Sequence, residues 1–184
     1  MRRTLITVAA VAVLTAPAGS VTPATAAPYC GITWGSTDKI GDGYDWDGIY
    51  SGVRAGQHEC YDRLVIDFDG APGWYWVGYV DAVSAEGTSD VVPLRGGARL
   101  AISLGAPAQG YDVQTGETAY VPDSPTRLVD VSGWRTFRQV AWAGSFGGFT
   151  SLGLGVRARL PFRVMVLEGP GDGSRVVIDV AHQW

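Results

Sequence analysis

From residue 49 onward, apolar and polar residues alternate mostly with a period of two. No apolar stripe there recurs at the 3.6-residue spacing of a helix. The alternation predicts strands over 49–53, 64–68, 74–80, 91–92, 99–104, 134–145, 149–156, 162–168 and 175–181, separated by Gly, Pro, Asp and Ser. Trp74, Trp76, Gly78 and Val80 would share one face of the 74–80 strand, and Tyr75, Val77 and Tyr79 the other. Both faces are apolar, so this strand is either central or carries a binding surface. Between Gly105 and Val131 the pattern fades into a long loop with room for a short helical turn, and long loops in compact domains are often functional. Short strands at roughly ten-residue spacing predict an all-β fold, a two-sheet antiparallel β-sandwich of about eight to ten strands.

One strand pattern occurs twice. Arg63-Leu64-Val65-Ile66-Asp67 and Arg175-Val176-Val177-Ile178-Asp179 both read Arg-apolar-Val-Ile-Asp. In each copy the isoleucine and its alternate neighbours face a core, while Arg, Val and Asp face the other way. Within one strand the Arg and Asp stand about 13 Å apart. Each of Arg63, Asp67, Arg175 and Asp179 therefore needs a partner on a neighbouring strand or loop.

Composition adds an address. Arg2-Arg3, the apolar run Thr4–Ala16 and the small-x-small Ala24-Thr25-Ala26 predict a signal peptide over residues 1–26, with only a weak hint of a twin-arginine signal. The division that follows is the signal, an extended Gly/Asp-rich arm over 27–48, and the sandwich over 49–184. Loss of Arg2 and Arg3 takes the net charge from −4 to −6. That speaks against nucleic-acid binding through a basic face, and no membrane span is expected after cleavage. In an oxidising compartment Cys30 and Cys60 are expected to pair, tying the arm to the body.

Several chemical motifs are incomplete. Asp45-Trp46-Asp47-Gly48 lacks the ligand spacing of a calcium loop. Asp67-Phe68-Asp69-Gly70 resembles a phosphatase nucleophile motif, but it is followed by Ala71-Pro72-Gly73 and comes without crossover helices. His58-Glu59 does not extend to a zinc-protease motif, because position 62 is Asp62. A triad of a histidine with Ser145 and Asp67 lacks a nucleophile elbow. No metal or cofactor is called for. The ligand-binding candidates are Trp74, Trp76 and Tyr79, whose rings suit sugar faces, and Arg157, Arg159 and Arg163. Alternation puts these arginines on one face near the Pro161 corner, suited to a carboxylate or phosphate.

Cys30-Gly31-Ile32-Thr33-Trp34-Gly35-Ser36, Val53–Cys60, Arg63–Gly70 and Gly153–His182 together resemble secreted actinobacterial proteins with an AMIN-like domain. The run Gly155-Val156-Arg157-Ala158-Arg159-Leu160-Pro161-Phe162-Arg163-Val164 is the most specific part. The resemblance implies a β-sandwich of the kind that localises cell-wall amidases by contact with peptidoglycan. It also implies two symmetric Arg-Val-Val-x-Asp-like strands, one in each sheet. None of the matched motifs is a catalytic set. The expected function is a secreted, non-enzymatic module that contacts peptidoglycan or wall glycan. The alternatives are a docking module for another exported protein and, behind it, an envelope hydrolase using Asp67 and Asp69.

Overall fold

The structure, a computed structural model, describes residues 28–42 and 47–184. The expected signal segment over 1–26 lies outside the described residues, as do Asp45 and Trp46. A 3-10 turn at Tyr29–Gly31 precedes eleven strands: β1 (Lys39–Asp42), β2 (Ile49–Gln57), β3 (Tyr61–Asp69), β4 (Trp74–Val80), β5 (Val83–Ser84), β6 (Val91–Val92), β7 (Ala98–Leu104), β8 (Phe137–Phe146), β9 (Phe149–Val156), β10 (Phe162–Glu168) and β11 (Ser174–Ala181). The five-stranded sheet runs β1-β4-β7-β9-β8 and the four-stranded sheet β10-β11-β3-β2; β5 and β6 form a separate hairpin. All strand pairs are antiparallel. The segment from Gly105 to Val131 carries turns and no helix. Among the described residues no helix is long and apolar enough to cross a membrane.

The two Arg-apolar-Val-Ile-Asp strands do not lie one per sheet. They are β3 and β11, adjacent in the four-stranded sheet, with Arg63 opposite Asp179 and Arg175 opposite Asp67. The reason is in the motif. A segment with Arg at its first position and Asp at its fifth is complementary to an antiparallel copy of itself. Side-by-side pairing brings each charge to its opposite, and placement in separate sheets would not. The same register puts Leu64, Ile66, Val176 and Ile178 on the inner face, all fully buried. Full burial of each such side chain stabilises the fold by about 1.5–3 kcal/mol. Across the seam they meet Val77, Leu100, Ile102, Leu104, Leu152 and Leu154 of the five-stranded sheet.

Both open sides of the sandwich are bridged by irregular chain. On one side the arm is tied by the Cys30–Cys60 disulfide. Gly35 accepts a hydrogen bond from the Phe162 N–H at the β10 edge (2.7 Å), and β1 then pairs with β4 in the other sheet. The arm therefore adds a strand to the five-stranded sheet and a single bridge to the four-stranded one. On the other side the long β7–β8 connection binds both edges. Pro107 accepts from the Tyr50 N–H on β2 (2.9 Å), and Pro125 accepts from the Trp142 N–H on β8 (2.7 Å). Sheet edges left open would template aggregation.

The five-stranded sheet is covered on its outer face as well. The strap from Val80 to Gly97, with the β5–β6 hairpin, buries Val83 and Leu94 against Ala141 and Ala143. Its close approach explains the glycines of β9. A Cβ at Gly153 would lie 2.7 Å from Leu94, and one at Gly155 would lie 2.0 Å from the Arg95 carbonyl oxygen. Gly155→Ala is expected to destabilise the protein by about 1–3 kcal/mol through overpacking against fixed backbone. Gly52→Ala, on β2 where nothing lies within 4 Å of the new Cβ, is expected to be neutral or to stabilise by up to about 1 kcal/mol. Urea melts of the two variants beside the parent check both.

Candidate functional site: an arginine-lined outer sheet face

The outer face of the four-stranded sheet has no strap. Three rows of side chains cross it in register. The first reads Arg163, Asp179, Arg63, Gly56; the second Met165, Val177, Val65, Arg54; the third Leu167, Arg175, Asp67, Gly52. Two charged rows thus flank one that is apolar except for Arg54. The grid holds four arginines and two aspartates, on a chain whose net charge is −4.

The first row is tightly bonded. Asp179 is fully buried. Arg63 reaches it with Nε at 2.6 Å and a second nitrogen at 2.9 Å, and Arg163 Nε reaches it at 2.8 Å. The Asp179 hydrogen bond is the first cause holding the Arg63 guanidinium above its ordinary pKa. Arg163 also lies over the rings of Trp34 and Tyr61, 5.5 Å from each centroid. The disulfide-tied arm therefore anchors this corner.

The third row breaks the symmetry of the repeat. Asp67 is held by Arg54, bidentate at 3.0 Å for both bonds, although Arg175 stands opposite it in register. Arg175 donates to the Glu168 carbonyl at 3.1 Å. Its Nε is shielded from solvent and has no hydrogen-bond partner. Arg54, Arg63, Arg175 and His58 line a cavity of about 260 Å³ whose apolar lining includes Val65, Val177 and Leu167. No carboxylate lines it. Arg54 and Arg63 line this concavity with forks already bonded to Asp67 and Asp179, and Arg175 keeps one nitrogen without a partner; guanidinium groups over an apolar floor suit a carboxylate or phosphate.

The residues expected to bind ligand are scattered by the fold. Trp74 and Trp76 lie on the outer face of the five-stranded sheet, since Tyr75, Val77 and Tyr79 fill the core side of β4. Trp74 meets Phe149 edge-on at 6.2 Å, and Trp76 lies across Gly78. Tyr79 is structural in its bonding: its hydroxyl donates to the Leu160 carbonyl (2.7 Å) and accepts from the Leu160 N–H (2.9 Å). The three arginines do not act together. Arg157 donates to the His182 carbonyl, Arg159 stacks 5.0 Å over the Tyr79 ring, and Arg163 alone joins the grid. The chain leaves β9 at Val156 and bends over residues 157–159, which interrupts the alternation that would have aligned them. Only Arg163 of the six shares a face with the repeat residues. Arg54 was not foreseen. Its signal is Gly52-x-Arg54-x-Gly56, one arginine between two glycines on a single strand face.

The other chemical candidates are committed elsewhere. Ser145 Oγ accepts from the Ala108 N–H and from the Thr150 hydroxyl, both at 3.1 Å. Asp62, Thr136 and His182 form a buried cluster at the sheet end. Asp62 Oδ2 accepts the N–H groups of Thr136 (2.8 Å) and Phe137 (2.9 Å). His182 Nε2 donates to the His58 carbonyl (3.0 Å), and Nδ1 lies 2.9 Å from the Thr136 hydroxyl. The ring nitrogen facing away from the hydroxyl is thus spent on a backbone carbonyl, with Asp62 Oδ1 3.9 Å away. This ties β3, β8 and the chain end together. Among the described residues no group of three or more His, Cys, Asp or Glu is placed to hold a metal.

The asymmetry of the grid sets unequal costs. Asp179→Ala would strand two half-buried arginines and is expected to destabilise by about 3–5 kcal/mol. Asp67→Ala loses a pair whose arginine side chain is 57% exposed and is expected to cost under about 1 kcal/mol. Denaturant melts compare them. Burial, partly offset by the Leu160 bond and Arg159, raises the Tyr79 phenol to about 12. The fold thus favours the neutral phenol, whose stabilisation is whole below about pH 10 and is lost as pH rises toward 12. Tyr79→Phe leaves the Leu160 groups unpaired and is expected to cost about 1–3 kcal/mol at neutral pH. The gap to the parent should narrow above pH 10 in melts across an alkaline series.

A search of curated proteins finds no match. A family model described as the AMIN-like domain matches residues 48–182, a span that runs from just before β2 through β11 and contains the whole grid except its Trp34 anchor. The chain belongs to the AMIN-like domain family.

Proposed function

We propose that this protein is a secreted, non-enzymatic cell-envelope module whose arginine-lined face holds carboxylate groups of peptidoglycan. Membership of the AMIN-like family suggests a cell-envelope-associated module. The observation that carries the finer reading is the groove of Arg54, Arg63 and Arg175, with the unpartnered Arg175 Nε among them. Peptidoglycan stem peptides present carboxylates along a flexible polymer, and several weak contacts on one surface add through effective concentration. An anion that displaces water there gains charge-assisted bonds without breaking the buried Asp179 cluster. The hydrolase reading is the less favoured one: Asp67 and Asp69 line a separate concavity of about 440 Å³, but both Asp67 oxygens accept hydrogen bonds from Arg54.

A second reading rests on the β10 edge. Val166 is 48% and Leu167 40% exposed there, and among the described residues of the arm Gly35 bridges its first residue, Phe162. A strand of another exported protein could add at this edge. A crosslinked partner that persists after the wall is digested would favour that reading.

Sedimentation with purified sacculi tests the first proposal. The parent protein should pellet, and retention should fall as salt is raised. The double variant Arg54→Gln/Arg175→Gln should lose most of its retention while melting near the parent temperature, since neither arginine belongs to the Asp179 cluster. Protein that stays wholly in the supernatant, or a double variant retained like the parent, would overturn the reading.

A further inference from the structure

A second concavity lies at the far end of β8, away from the arginine grid. Its floor is the last turn of β8, where the register shifts between Trp142 and Ser145. One wall is the loop of the β5–β6 hairpin: the Glu86 N–H bonds the Ala143 carbonyl, and the Ser151 hydroxyl bonds the Glu86 carboxylate. The other wall is the β7–β8 connection, where Gly116 accepts from the Gly147 N–H at 2.8 Å and the Thr118 hydroxyl donates to the Gln109 carbonyl at 2.6 Å. The concavity is a shallow one, open to solvent, with a volume of about 420 Å³, within the range of small-molecule sites.

Three rings line this cleft. Tyr120 and Trp142 meet edge-on at 5.2 Å and 63°. Phe146 is 43% exposed although both walls close on it. A Cβ at Gly87 would lie 2.9 Å from its ring, and one at Gly116 would lie 3.5 Å from it. Both glycines have positive φ, 72° and 75°, which side chains rarely adopt. Two carboxylates, Glu86 and Glu117, complete the lining, and no Lys, Arg or His is part of it. In the grid every aspartate has its arginine. Here two acids stand among aromatic rings with no cation in the lining. Such a site repels carboxylates and phosphates and attracts an ammonium group through charge and through the ring faces together.

We propose that this cleft binds a primary alkylammonium group, of the kind a diamino acid carries, with the charge between Glu86 and Glu117 and the alkyl stem on Phe146 and Trp142. The inference does not depend on the arginine face, since the two surfaces share no residue.

Titration of the full chain with cadaverine tests it, followed by indole fluorescence and backbone amide NMR. Glutarate serves as the anionic control and N-acetylglucosamine as the sugar control. Cadaverine should saturate, with shifts at the Trp142 indole and the Gly116 and Gly147 amides, while both controls leave these signals unmoved. Glu117→Gln, at an exposed position, should weaken cadaverine about tenfold. The Glu86→Gln/Glu117→Gln pair should abolish binding. If loss of the Ser151 bond unfolds the double variant, Glu117→Gln alone decides. Arg175→Gln should leave the affinity unchanged. No saturable response to cadaverine, equal affinity in Glu117→Gln, or equal binding of either control would overturn the proposal.

Discussion

The register between β3 and β11 is the constraint on which the rest of the structure depends. Side chains alternate faces with a strict period of two, so a slip by one residue would turn Ile66 and Ile178 out to water and drive the charges into the core. The buried Asp179, bonded by Arg63 across the strand pair and by Arg163 from the next strand, penalises that slip. An unpaired buried carboxylate is far costlier than its paired form is favourable, so the cluster acts more through specificity than through net stability. With β3 and β11 in place, β2 and β10 add on either side, and the inner face is set for the second sheet.

The two sheets then diverge in what covers them. The five-stranded sheet has small residues at Ala101, Ala141, Gly153 and Gly155 on its outer side, so the strap can lie within contact of its backbone. The four-stranded sheet carries arginines and aspartates outward, which no strap could bury without leaving charge desolvated. One face is therefore covered by the strap and the other is not. Charge is satisfied unevenly within the same repeat: the first row is held shut by its own acid, and the third row is left with an arginine short of one.

Irregular chain does much of the remaining structural work. The arm bridges both sheets at one side and places Trp34 against Arg163. The β7–β8 connection bridges them at the other side and also forms a wall of the aromatic cleft. Neither is a passive linker, which is why long segments without regular secondary structure persist in so compact a chain.

How much was legible from residues alone follows from the range of each interaction. Alternation is local, so the spans 74–80, 149–156 and 162–168 match the observed strands at both ends, and the sandwich class follows from them. The repeat was visible as well, including the requirement that its charges find partners on neighbours. Only the tertiary structure decided that the copies pair with each other, because strand order depends on non-local contacts that no window of sequence contains. The same limit applies to Arg157, Arg159 and Arg163. A common face could be inferred for them only along an unbroken strand, and the bend between β9 and β10 sends each to a different partner. Trp74 and Trp76 were recognisable as a cluster, but the sheet face they occupy was set by which neighbour filled the core, in this case Tyr75, Val77 and Tyr79. Chain-local chemistry thus determined the elements and the spacing of charge, and long-range packing determined which charges were satisfied and which remained open.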